Sequence, residues 1–150
     1  MSSNTNAMSR KLTPSLKWLE PAAWIGGALA ISLFVIIYGA YGDSHAPQSQ
    51  KDGVPFLAIV AAIGAVVLLG IVARFALRSS HSERWALGLA IISAASLPAF
   101  WSGAPILIGA AAAVTGKSAR PSRMAAAAVI IGCLAAVAAV AVTVLGNTIG

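Results

Sequence analysis

The residues able to do chemistry are few, and their spacing gives them no partners. His45 stands with Asp43 and Asp52 in one polar stretch, and His81 stands with Glu83 in another. A long apolar run separates the two histidines, so they cannot share a metal, and each group falls short of the three or four ligands a metal site needs. No HExxH or CxxC pattern occurs. The hydroxyls and the thiol that lie in apolar stretches are Ser32, Ser93, Ser96, Ser102, Thr115, Thr143 and Cys133. Activation of such a nucleophile needs a base within reach, and no His or carboxylate shares their stretches. They are expected to bond to helix backbone or across helix contacts. Cys133 is the sole cysteine, which excludes an intramolecular disulfide and suits a small packing residue. The glycines form neither GxGxxG nor a phosphate loop. The expectation is a chain with no catalytic residue, no cofactor and no metal, hence not an enzyme; an enzyme reading would have to use the loop residues Asp43, His45 and Asp52.

The elements that would position any site are apolar. Hydrophobic residues make up 59% of the chain and charged ones 9%, against about 25% charged in soluble domains, which excludes an ordinary water-soluble fold. Four stretches, 22–41, 55–73, 85–116 and 124–146, contain no Asp, Glu, Lys, Arg or His, whereas proton relays and ion pathways mark themselves with such residues. Arg74 comes nearest to an apolar interior, one turn before Arg78, and snorkelling accounts for it. Ten Lys and Arg stand against four Asp and Glu. The basic residues form short flanks without interleaved aromatics, unlike a nucleic-acid footprint. The expected partners are membrane lipid and other membrane-protein subunits, with no nucleic acid.

Residues 1–17 read as a mobile polar cytoplasmic tail, and 18–150 as a single transmembrane helical domain. The first apolar run exceeds the about 7–15 residues of a signal h-region, so it reads as an uncleaved span, about 22–41, opened by Trp18, Glu20 and Pro21, with Glu20 near the positive end of the helix dipole. Pro55 starts a second span, about 55–77. The run 85–116 is about 48 Å long as one helix, against a bilayer core of about 30 Å, and Pro98, Ser102, Gly103 and Pro105 break it near its midpoint. It is expected to form a helical hairpin with legs at 85–99 and 104–116, which either crosses with little tilt, thins the bilayer or turns back within it. Arg78 and Arg84 before it and Lys117, Arg120 and Arg123 after it then share the cytoplasmic side with the basic N-terminal tail. The last span covers about 124–146. The predicted fold is therefore an all-α polytopic transmembrane bundle of five membrane segments, multi-pass in the cell membrane, with the N-terminus cytoplasmic and the C-terminus outside. Trp18, Trp24, Tyr38, Tyr41, Trp85 and Trp101 are its expected interface anchors.

Small residues four apart let helix backbones approach. Such pairs occur at Gly26 and Ala30, at Ala58 and Ala62, at Gly109 and Ala113, at Ala112 and Gly116, and in the series Ala128, Gly132 and Ala136.

The Pro-broken hairpin around Leu97, Pro98, Phe100 and Trp101, followed by "LIGAAAAVTGKSAR" and "AAAAVIIGCLAAVAAVAV", resembles the small multi-pass membrane proteins of unknown function common in high-GC Gram-positive bacteria. The resemblance implies a bacterial inner-membrane location and supplies no activity. The functional expectation is a non-catalytic accessory, assembly or scaffold subunit of a larger membrane complex. The alternative is a small oligomeric transporter or channel for a neutral or apolar solute, with the broken hairpin as a re-entrant element.

Overall fold

A computed structural model describes residues 13–42, 47–72 and 78–149, all of whose regular structure is helical. The expected mobile tail lies mostly outside the described residues, as do Asp43, His45 and Arg74. Helix α1 is Thr13–Tyr41, α2 is Gln48–Asp52, α3 is Val54–Ile71 and α4 is Ser82–Ala95. A 3-10 turn over Leu97–Ser102 leads to α5, Ala104–Ser118, and α6 is Arg123–Ile149. Three helical stretches, Leu19–Tyr41, Gln48–Ile71 and Arg123–Thr148, are long and apolar enough to cross a membrane. The chain has the helices of a membrane protein.

Two boundaries differ from the sequence reading. Helix α1 begins at Thr13 and carries Pro21 inside it. Pro14, second in the helix, supplies the fixed φ that suits a first turn, so the start lies before Trp18. Glu20 is consequently not in the first turn, and its partner is a cation rather than the helix dipole. The loop after α1 also contains the short helix α2 ahead of Pro55.

The directions of the helices follow from a few contacts. A Cβ placed on Gly109 would lie 2.5 Å from the Gly132 carbonyl oxygen, and one on Gly116 would lie 2.9 Å from that of Ala125. Both pairs place α5 and α6 antiparallel in one register. Glu20 meets Lys117 and Ser32 meets Gly103, so α1 also runs antiparallel to α5. One end of the bundle therefore gathers the start of α4, the start of α6 and the end of α5, with Arg84, Lys117, Arg120 and Arg123.

Helix α5 is the middle of the bundle. Pro105, Ile106, Leu107, Gly109 and every residue from Ala111 to Gly116 are buried, packed among α1, α3, α4 and α6. At 15 residues it is about 22 Å long, shorter than a bilayer core of about 30 Å. Its neighbours shield it, which is the setting in which a short helix and an irregular turn are tolerated at membrane depth. The long helices α1, α3 and α6 instead turn large apolar side chains outward, among them Phe34, Phe56, Ile63, Val66, Leu134 and Val137.

The turn between α4 and α5 is built by proline, glycine and serine. Pro98 and Pro105 each stand in a first helical turn, where their missing N–H costs nothing. Gly103 has φ +70°, the left-handed region that favours glycine. The hydroxyls of Ser96 and Ser102 donate to Ser93 O at 2.8 Å and Ala99 O at 2.7 Å, and Ser102 Oγ accepts from the Ala104 N–H. Backbone groups that the broken helix would leave open are thus satisfied.

Candidate functional site

The apolar-stretch hydroxyls are occupied with backbone. Ser32 donates to Gly103 O at 3.0 Å and Ser93 to Pro105 O at 2.8 Å, each across a helix contact. Thr115 and Thr143 donate to the carbonyls of Ala111 and Ala139 within their own helices. In the polar segments, Asp52 accepts from Gln48 Nε2 at 3.0 Å, and the His81 Nδ1 lies 3.0 Å from Ser80 Oγ. Among the described residues no three His, Cys, Asp or Glu side chains come together as a metal site would require.

What the fold assembles instead is a surface of small residues. On α6 the buried positions are Ala125, Ala128, Gly132, Ala135, Ala139 and Thr143, in steps of three or four as a helix face requires. The strict four-residue series Ala128, Gly132, Ala136 turns by about 40° per step, so Ala136 sits at the edge of that face, half-buried. Gly132 and Gly109 meet backbone to backbone: a Cβ on Gly132 would stand 2.6 Å from Gly109 O and 3.2 Å from the Ala112 Cβ.

Beside this seam lies an apolar groove of 360 Å³ between α1 and α6, floored by α5. Ala23, Trp24, Gly27 and Ile31 form one wall, Cys133 and Ala136 the other, and Gly109, Ala110 and Ala113 line its floor. Four of the residues expected to mark packing faces, Gly109, Ala113, Gly132 and Ala136, thus converge on one place, while Ala128 is buried where α5 and α6 touch.

Gly26 and Ala30 are a correction. Both are exposed, and a Cβ on Gly26 would meet nothing within 4 Å. Helix α1 buries Ile25, Ala28, Ser32 and Val35; Gly26 is about 100° from Ile25 and about 160° from Ala28 by the shorter arc, which turns it off that face. The small residues of α1 that line the groove are Ala23, Gly27 and Ala28. Likewise α3 buries Ala61 and Ala65 and leaves Ala58 and Ala62 half-buried.

The expected interface aromatics divide between the two ends. Trp24 and Trp85 lie exposed toward the basic end, and Tyr38, Tyr41 and Trp101 lie toward the other; the side chain of Trp18 is outside the described residues. Lys117 Nζ stands 2.6 Å from Glu20 Oε1 and 5.9 Å from the Trp24 ring centroid, tying α1 to the end of α5. At the opposite end, Asn147 Nδ2 donates to Tyr38 O at 2.8 Å and Gln50 Nε2 to Gly39 O at 3.3 Å. Gln50 thus supplies a partner to a carbonyl in the last turn of α1, and Asn147 adds a second to the Tyr38 carbonyl, which also accepts from the Gly42 N–H at 2.8 Å. Neither amide contact, nor the one between Ser32 and Gly103, is visible in spacing, because even the nearest pair, Gly39 and Gln50, is 11 positions apart and on different helices.

No family model matches the chain, and no curated protein or solved structure is significantly similar to it.

Proposed function

We propose that the protein is a non-catalytic component of a membrane complex, an accessory, assembly or scaffold subunit that works by helix contacts. The groove between α1 and α6 carries this reading. Its lining is apolar and mostly small, Ala, Gly or Cys at all positions but Trp24, Ile31 and Ile106, whereas the outward faces of the same helices carry Phe34, Ile37, Ile130 and Leu134. Lipid chains are accommodated by a surface of large apolar residues, while association between helices in a membrane depends on small residues that let backbones come close. The occupant proposed for the groove is a transmembrane helix of a partner subunit.

Gly27 gives a clean test. A Cβ there would meet nothing within 4 Å, so the backbone at Gly27 has room for a side chain, and Gly27→Leu places one in the groove lining. Purification from native membrane in mild detergent should recover a stoichiometric partner with the wild-type chain and lose most of it with Gly27→Leu. Equal recovery from both would remove the groove from the account.

The proposed setting is a bacterial inner membrane, with five membrane segments, the N-terminus inside and the C-terminus outside. The support is electrostatic: Arg84, Lys117, Arg120 and Arg123 share one end of the bundle with the start of the membrane-crossing part of α1, and cytoplasmic loops hold the excess of Lys and Arg. The hairpin of α4 and α5 then enters and leaves on the cytoplasmic side. With Cys133→Ala as background, Ser118→Cys should react with a membrane-impermeant maleimide only after the membrane is opened. Labelling from outside in intact cells would invert or break this topology.

A further inference from the structure

A second cavity, of 410 Å³, lies beside the 3-10 turn at the end of the bundle away from the basic cluster. Helices α1 and α6 wall it, Phe100 and Trp101 of the turn close one side, and Gln50, Val54 and Leu57 close another. Its size falls within the about 300–1,000 Å³ of small-molecule sites, and its make-up, apolar and aromatic with a few polar groups, is theirs as well.

The polar groups offer both donors and acceptors. Thr143 has committed its single hydroxyl hydrogen to Ala139 O and keeps its oxygen as an acceptor. Asn147 and Gln50 each give one N–H to a carbonyl of α1 and keep the amide oxygen and a second N–H. The Trp101 indole adds one N–H. Among the described residues neither a carboxylate nor a cationic side chain lines the cavity, and a charged ligand needs such a partner to leave water.

We infer that this cavity is a binding site for a compact, uncharged molecule with an apolar body and a hydroxyl group, that is, a small alcohol. The apolar walls take its body, and its hydroxyl, which both donates and accepts, meets the Thr143 oxygen and the amides of Asn147 or Gln50. The inference goes beyond the subunit reading and does not rest on it, since the partner groove uses Cys133 and Ala136 of α6 and the cavity uses Val142 to Asn147.

Trp101 is a built-in reporter, because the other three tryptophans belong to the opposite end, Trp18 and Trp24 early in α1 and Trp85 at the start of α4. The full chain in lipid nanodiscs is titrated with trichloroethanol, a neutral alcohol that quenches indole fluorescence, and in parallel with trichloroacetate, an anion of similar shape that also quenches it. The expected result is a saturable component with trichloroethanol alone, absent in Trp101→Phe. Gly146→Leu should abolish it by filling the cavity; a Cβ at Gly146 meets nothing within 4 Å, so the bundle is kept. Thr143→Val should weaken it about fivefold, the loss of one net hydrogen bond. Linear quenching that is the same in the wild type and Gly146→Leu would overturn the inference, as would saturation by trichloroacetate or saturation that survives in Trp101→Phe.

Discussion

Gly132→Leu is expected to cost the bundle about 3 kcal/mol or more, the upper part of the range for overpacking a close-packed interior. The first carbon of the new side chain would stand 2.6 Å from the Gly109 carbonyl oxygen; helix backbone fixes the position of the one and contains the other, so neither can rotate away. Only separation of α5 from α6 relieves the contact. That separation also opens Gly116 against Ala125 and Val129, because the two helices share one register along their length. A membrane interface has little hydrophobic drive to compensate, since lipid is as apolar as the helix surface. Ile130, two residues away, is 57% exposed, so Ile130→Leu should leave stability nearly unchanged. Unfolding in a titration of denaturing detergent measures both. Equal midpoints for the two variants would mean that the contact between α5 and α6 is not where stability resides.

Gly103→Ala is expected to be nearly as damaging, for two reasons that act together. The left-handed backbone conformation at φ +70° costs an L-residue with a Cβ roughly 1–2 kcal/mol. In addition the new methyl would be built 2.7 Å from the Ser32 Cβ and 3.2 Å from its Cα, pressing the turn off α1. Ser32→Ala is the informative companion. It removes the hydroxyl donated to Gly103 O and leaves a buried carbonyl with one partner fewer, a loss of about 1 kcal/mol. The expected order of detergent stability is wild type, then Ser32→Ala, then Gly103→Ala. A Gly103→Ala protein as stable as the wild type would show that the turn does not bear on α1.

The positions of these two contacts explain how far the sequence could be read. Helical character, the long apolar elements and the break near Pro98 to Pro105 follow from composition, run length and two strong helix punctuators, all of which are local. The break itself is more elaborate than a simple turn: α4 ends at Ala95, and a 3-10 segment intervenes before Gly103. Which small residues face which helix was legible only in part. Gly109, Ala113, Gly132 and Ala136 reach the contact region or the groove, but Gly26 and Ala30 do not, because a four-residue spacing marks a stripe on a helix without saying which way the helix is turned. On α1 that orientation is set by Ile25, Ala28, Ser32 and Val35, and on α3 by Ala61 and Ala65. The pairing of Lys117 with Glu20 and of Asn147 with the Tyr38 carbonyl joins residues about a hundred positions apart, and only the assembled bundle brings them together.

The central claim is that a partner's transmembrane helix occupies the groove between α1 and α6, and the chain carries its own handle for the measurement. Cys133 is its single cysteine, exposed and in the groove wall, so a maleimide benzophenone attached there and photoactivated in native membrane reports what lies against it. The account predicts one protein adduct of defined higher mass, absent in Gly27→Leu membranes. Crosslinking to lipid alone, equal in the wild type and Gly27→Leu, would contradict it.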